Sequence, residues 1–294
     1  MECDICGGVC SHWKRLQDNR FESTPDTSFD VYECDDCGTG KTVPFPDDFD
    51  PYYPEPYYDI RTEDEGEGII ERFLHRYESW VTPDILLPSK PGRLLEIGCG
   101  PGVDLVEFRS QGWQVEGVEP NPHAVELGQE RYDLELFQGT LEETAQQLSS
   151  NAYDVILFNH VFEHIATPHT TIELCAELLS EDGLIVIEVP NFGSLSRKLF
   201  GEYWGDHDVP RHLYHYTPES LNHLLGTYGF ELSTSSYDRR ARLFAGWGAD
   251  YLSAKLSIRV PTAAIFPIGV PVGVCAGQLG MTRFRHAYKP NSDD

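Results

Sequence analysis

Leu94-Leu95-Glu96-Ile97-Gly98-Cys99-Gly100-Pro101-Gly102 passes from apolar residues through one acid into three glycines at alternate positions. This order predicts a buried strand that ends in a tight turn before a helix. Glycine at alternate positions lets the backbone take positive φ and approach a ligand with no Cβ in the way. The next expected strand, Gln114-Val115-Glu116-Gly117-Val118-Glu119, ends in a carboxylate 17 residues after Gly102. An acid at the tip of the neighbouring strand stands where a ribose would present two hydroxyls. The glycines are spaced G-x-G-x-G and not G-x-G-x-x-G, which argues against a dinucleotide.

Outward from this turn, strands and helices alternate. Strands are expected at 93–97, 114–119, 134–138, 153–159 and 184–189, with helices at about 102–111, 121–131, 141–149 and 168–180. Alternation of this kind makes an α/β fold, a parallel, doubly wound sheet with helices on both faces. A helix from Pro218 to about Tyr228 leads through Gly229 to a strand at 230–237, and Thr282-Arg283-Phe284-Arg285-His286-Ala287-Tyr288 alternates as an edge strand does.

The glycine turn resembles motif I of the class I S-adenosylmethionine-dependent methyltransferases, and the resemblance covers residues 93 to about 237. It implies a Rossmann-like seven-stranded sheet in which 282–288 is a seventh, antiparallel strand inserted beside the sixth. It also implies that Glu96, Gly98, Cys99, Gly100 and Gly102 approach the methionine part of the cofactor. Glu119 would accept both ribose hydroxyls, Pro120 would lie against adenine, and Thr140, Leu141 and Glu142 would read the ring edge. Asn159-His160-Val161-Phe162-Glu163-His164 resembles the family's signature after the fourth strand, which adds Asn159 and His160 to the pocket.

Methyl transfer from a sulfonium is an in-line displacement, so alignment supplies much of the acceleration and a base is needed only when the acceptor must lose a proton. The segment after the fifth strand is dense in aromatic and histidine residues: Tyr203-Trp204-Gly205-Asp206-His207-Asp208, then Pro210-Arg211-His212-Leu213-Tyr214-His215-Tyr216-Thr217-Pro218. It resembles the RHL-x-H-aromatic-T signature of natural-product and sugar methylating enzymes and lies where the family places its acceptor pocket. His212 is the first choice for a base, followed by His215 and His164. Each has a competing reading as a hydrogen-bonded structural histidine.

Cys3-x2-Cys6 and Cys34-x2-Cys37, separated by 27 residues, have the spacing of a closed four-thiolate Zn2+ site and resemble a zinc ribbon. Cys10 and His12 are rival ligands, and a redox pair is the competing chemistry. Cys99, Cys175 and Cys275 read as small buried residues.

These readings divide the chain into a ribbon (1–43), a Pro/Tyr-rich connector (44–68) and a methyltransferase domain (69–294) with an apolar insertion at about 241–281. A helix is expected over 69–82, and Tyr57 and Tyr58 either pack on the main domain or cover a ligand. Val260 to Met281 holds no charged residue over 22 positions, but its prolines and glycines make a poor spanning helix. It reads as a buried insertion, a membrane-surface or oligomer contact, or a span. The formal charge of −26, from 48 acids spread along the chain against 22 bases, either repels nucleic acid or adapts the protein to high salt; the even spread favours a salt-loving source, where screening leaves the charge saying little about the substrate. Against nucleic acid stand Asn159-His160-Val161, which is not the Asn/Asp-Pro-Pro-aromatic pattern of base-methylating enzymes, and a ribbon in which Lys14, Arg15 and Arg20 are diluted by acids. Eight cysteines and an amino terminus without a basic-then-apolar pattern suggest a cytoplasmic protein, with membrane association through 260–281 left open. The leading expectation is methylation of a small molecule, a sugar or glycoconjugate precursor being the favoured kind. The rivals are a nucleic-acid methyltransferase that grips its substrate with the ribbon and a regulatory protein that only binds the cofactor.

Overall fold

The structure, a computed structural model, describes residues 1–18, 27–53, 86–237, 241–262, 265 and 283–291. Tyr57 and Tyr58, the expected helix at 69–82 and residues 266–281 of the uncharged stretch lie outside the described residues. Contacts gather the chain into two compact units: Met1–Asp84 with Pro190–Pro218 and Ser236–Phe284, and Ile85–Val189 with Glu219–Ser235 and Arg285–Asp294. These lines differ from the boundaries read in the sequence, because segments far apart in the chain complete each unit.

The first unit is built on a four-stranded sheet ordered β1-β2-β3-β9. β1 (Cys10–Gln17), β2 (Ser28–Cys34) and β3 (Gly40–Val43) are antiparallel neighbours, and the fourth strand is β9 (Tyr214–His215), which pairs with β3. Phe29 and Val31, alternate residues of β2, point into an apolar cluster with Leu16, Tyr52, Phe192, Trp204 and Trp247. Trp247 comes from a helix, Ala241–Leu256, in the region expected to be an insertion. Its indole lies so close to Gly205 that a Cβ there would fall 2.4 Å from the ring nitrogen.

The second unit carries the glycine turn. Its sheet has seven strands in the order β10-β11-β8-β7-β4-β5-β6. They are β4 (Arg93–Ile97), β5 (Gln114–Glu119), β6 (Glu135–Gln138), β7 (Tyr153–Asn159), β8 (Leu179–Pro190), β10 (Phe230–Tyr237) and β11 (Arg283–Pro290). β4, β5, β6, β7 and β8 are parallel neighbours. Leu94, Leu95 and Val155 to Phe158 are wholly buried, as central parallel strands covered on both faces require. The last strand of the chain lies between β8 and β10, beside the sixth as the resemblance implied. β8 starts earlier than expected because Leu179 already pairs with Tyr153, so the preceding helix stops at Leu178.

Chain order reverses at β4, which has β5 on one side and β7 on the other. In such sheets the crevice beyond the carboxyl ends of these strands receives the ligand. The helices after β4 and β5 are α1 (Val103–Ser110) and α2 (Pro122–Tyr132). α2 begins where the Asn121 side chain caps the amides of His123 and Ala124, with Pro122 at the first helical position.

Candidate functional site

The three glycines of the turn have different tasks. All have positive φ: +67° at Gly98, +54° at Gly100 and +79° at Gly102. A Cβ at Gly98 would lie 2.5 Å from the Val161 side chain, and one at Gly102 would lie 2.3 Å from Leu134. Those two are required by packing. A Cβ at Gly100 would meet nothing within 4 Å, so there the backbone faces open space that a ligand can enter.

Two carboxylates stand around this turn. Glu119 accepts the Gly100 amide and the Asn121 amide, each at 2.8 Å, which ties the end of β5 to the glycine turn. Burial pushes its pKa above the ordinary carboxylate range, and these two amides oppose the shift. Glu96 is 3% exposed, and its Oε2 has no hydrogen-bond partner among the described residues. Burial holds its pKa well above the usual range, and the charges of Asp104 and Glu119 add to the effect. A buried carboxylate with an unmade bond is costly unless a cation or donor meets it. Next to an open glycine backbone, these groups fit a cofactor that carries a sulfonium, an ammonium and a ribose.

The other expected pocket residues lie at or just beyond the same ends of the strands. Pro120 is exposed and Cys99 is buried, its thiol held well above the ordinary value by burial and by Glu96 and Glu119. Thr140 is engaged in a capping box with Glu143 at the start of the helix Leu141–Thr144. Leu141 is buried, and Glu142 accepts the Thr167 hydroxyl at 2.7 Å. Asn159 donates to Asp104 at 3.0 Å.

His160 takes φ +57°, a left-handed conformation uncommon for a residue with a Cβ. Its Nε2 lies 3.1 Å from Glu188 and its Nδ1 lies 3.7 Å from Glu163. Glu188 also pairs with Arg285 of β11. The sequence reading missed Glu188 and Arg285. The one local signal was a carboxylate interrupting the apolar run Ile185-Val186-Ile187-Glu188-Val189. His164 closes a short 3-10 turn, Phe162–His164, its amide bonded to the Val161 carbonyl at 2.9 Å.

In the other unit, the segment around His212 is held by backbone and polar contacts. His212 Nδ1 is 2.9 Å from the Asp206 carbonyl, which can only accept, so Nδ1 carries the proton and the neutral ring has its lone pair on Nε2. Asp208 lies 3.9 Å from that Nε2. The Thr42 hydroxyl donates to the His212 carbonyl at 2.7 Å, and His215 Nε2 is 3.0 Å from the same hydroxyl. With its one proton given away, Thr42 accepts from His215, which is therefore protonated at Nε2. Burial holds the His215 pKa well below the ordinary value, assisted by His207, His212 and Arg197. Burial likewise brings His207 down to about 4.

The cysteines converge as their spacing predicts. One sulfur from each of Cys3, Cys6, Cys34 and Cys37 lies within 4.8 Å of the other three. The Cys3–Cys37 and Cys6–Cys34 sulfurs are 3.8 and 3.5 Å apart. Tetrahedral Zn–S bonds of about 2.3 Å place sulfurs about 3.8 Å apart, so the residues fit that ion. The two knuckles have matching geometry: Gly7 and Gly38, at φ +74° and +73°, donate to the Cys3 and Cys34 carbonyls. Burial is the largest influence on Cys6, raising its pKa to about 11, and hydrogen bonding to Cys3 leads in raising Cys37 to about 12. Of the rival ligands, His12 instead bonds Asp30 at 3.1 Å, and Cys10 is a buried thiol outside the four-sulfur group.

The methyltransferase domain family matches residues 69–235, more than half of the chain, and the protein belongs to that family. The ubiquinone biosynthesis O-methyltransferase of Cereibacter sphaeroides is 28% identical over 193 residues, which cover 61% of this chain and 75% of that protein. The enzyme of the same name from Maricaulis maris is 31% identical over 140 residues, 44% of this chain and 54% of its own. Among solved structures, a chain of the complex between the Haloferax volcanii Trm112 methyltransferase activator and the putative methyltransferase matches with a TM-score of 0.51. It is 15% identical, with 76% of this chain and 97% of that chain covered, a likeness of fold. The protein is an S-adenosylmethionine-dependent methyltransferase.

Replacing Glu119 with Ala is expected to weaken cofactor binding by about 1.5–3 kcal/mol through lost charge-assisted hydrogen bonds. Calorimetry with S-adenosylmethionine measures this, and an unchanged affinity would remove Glu119 from the pocket.

Proposed function

We propose that the protein transfers the methyl group of S-adenosylmethionine to a hydroxyl of a small molecule, with His212 as the base. The observation that carries this reading is the tautomer of His212. Its Nδ1–H is given to the Asp206 carbonyl, so the lone pair sits on Nε2, the atom a proton acceptor must offer. Asp208 nearby stabilises the imidazolium that forms. A base is useful for an acceptor that must lose a proton, such as a phenol or sugar hydroxyl, and the related proteins carry O-methyltransferase names. His215 supports this arrangement, and His164 is the next residue to test if His212 is dispensable.

In this reading the cofactor is held by Glu96, Gly98, Cys99, Gly100, Gly102, Glu119 and Pro120. Thr140, Leu141, Glu142, Asn159 and His160 complete its surroundings. Zn2+ is held by Cys3, Cys6, Cys34 and Cys37 as a structural ion. Replacing Cys34 with Ser is expected to release one equivalent of zinc from the purified protein. Metal analysis showing no zinc, or a metal content unaffected by that change, would contradict the assignment.

The acids spread along the chain suit a protein that works at high salt in the cytoplasm, and a nucleic-acid substrate is disfavoured by Asn159-His160-Val161 and by the dilution of Lys14, Arg15 and Arg20 among acids in the ribbon. Among the described residues, no helix is long and apolar enough to cross a membrane. Contact of 260–281 with a membrane surface or a second copy is part of the proposal, and vesicle co-sedimentation tests it. The acceptor class is tested with labelled S-adenosylmethionine against catechols, sugar nucleotides and RNA. Label on oxygen of a catechol or sugar nucleotide is expected, a sugar nucleotide meeting the finer reading. Label in RNA alone would overturn it.

A further inference from the structure

The two cysteine knuckles are attached to the histidine segment by three separate routes. Asp4, inside the first knuckle, accepts the Tyr214 hydroxyl at 2.8 Å. In the second knuckle, the Cys37 carbonyl accepts the Thr217 hydroxyl at 2.9 Å. The adjoining Gly38 lies so near that a Cβ there would sit 3.2 Å from the Thr217 methyl. The strand leaving that knuckle, β3, pairs with β9 through Gly40–His215 and Lys41–Tyr214. Its Thr42 donates its amide to the Leu213 carbonyl and its hydroxyl to the His212 carbonyl, and accepts from His215. His212, Leu213, Tyr214, His215 and Thr217 are thus fastened to residues of the metal-ligand turns or of the strand that leaves the second of them.

Those turns depend on the ion. Four thiols with little else to bind them are a poor scaffold, and in small cysteine sites of this kind metal binding is coupled to folding. The elements that carry Glu96, Gly100 and Glu119 belong to the other compact unit. We propose that the four-cysteine site anchors the histidine segment, so that zinc occupancy sets the position of His212 and His215 and leaves cofactor binding unaltered. The catalytic consequence rests on the reading of His212 as the base. Asp4, Thr42 and Thr217 are positioning residues in this arrangement.

The test is hydrogen exchange on the full chain, zinc-loaded and after zinc withdrawal by a chelator, with calorimetric titration of S-adenosylmethionine on both samples. The informative amides are Thr42, bonded to the Leu213 carbonyl, and Phe192, bonded to the Tyr216 carbonyl. Both are expected to exchange at least about tenfold faster without zinc, as local opening permits, while cofactor affinity changes less than twofold. Because chelation could unfold the unit, a second sample keeps all four cysteines and carries Asp4→Ala, which removes the acceptor of the Tyr214 hydroxyl, with Thr217→Val. It is expected to retain zinc, to exchange faster at the same amides and to lose the Nε2–H signature of His215 in the nitrogen spectrum, with Thr217→Ser restoring part of it. Unchanged exchange at Thr42 and Phe192 in both samples would overturn the anchor, as would loss of cofactor binding with the metal. Failure of the zinc-loaded protein to bind the cofactor would instead strike the methyltransferase reading.

Discussion

His212→Asn is expected to lower turnover by roughly 100- to 10,000-fold, the range a positioned general base supplies, with cofactor affinity near wild type. Asparagine keeps a donor for the Asp206 carbonyl but takes up no proton near neutrality. The amide therefore preserves the contact now made at 2.9 Å while removing the lone pair at Nε2. Single-turnover kinetics with labelled S-adenosylmethionine and the acceptor found in the panel separates the two. Full activity in the Asn variant would mean that His212 only holds its loop and that the acceptor needs no base from it.

The neighbouring Arg211 should show the second large effect, on stability. Its side chain is wholly buried, and all five of its N–H donors are used. Two reach the Asp18 carboxylate at 2.7 and 2.9 Å, two reach Asp208 at 2.7 and 2.9 Å, and one reaches the Tyr52 carbonyl at 2.9 Å. Arg211→Met leaves two buried carboxylates without their cation, a loss of about 3–5 kcal/mol. Lysine, a point charge with three donors, is expected to recover only part of it. Denaturant unfolding of the three proteins measures this, and a Met variant within about 0.5 kcal/mol of wild type would show that the network is not structural.

The strand–turn–helix around the three glycines was legible because its signals are local. Strand, glycine turn and terminal acid lie within 26 residues, from Leu94 to Glu119, and each constrains its neighbours through backbone geometry. The cysteine pairs were legible for the same reason, since each knuckle is a six-residue turn. The surroundings of His212 were not. Asp18 lies 193 positions from Arg211, and Thr42 lies 173 positions from His215. β9 has only two residues, too few to show any periodicity. A run dense in histidine and aromatic residues reads equally as a pocket wall or as the interior of a polar core. Only the partners tell them apart: Thr42, Asp206 and the Phe192 ring stacked on His215 at 5.0 Å. Glu188 was hidden in the same way, since its relation to His160 and Arg285 depends on the order of strands.

The most direct test of the central claim, that Glu96, Glu119 and the glycine turn form the S-adenosylmethionine site, is calorimetric titration of the wild-type protein across pH 4 to 8 in two buffers of different ionisation heat. Burial raises both carboxylate pKa values in the free protein. A cationic ligand favours the ionised carboxylate, so it lowers those values on binding. Affinity should therefore increase with pH until the raised free-state values are passed and then level off, with protons released to the buffer on the acid side. Binding with proton release that falls in Glu96→Gln and is lost when Glu119→Gln is added is the predicted result. An affinity independent of pH with no proton release, or no binding at all, would contradict the assignment.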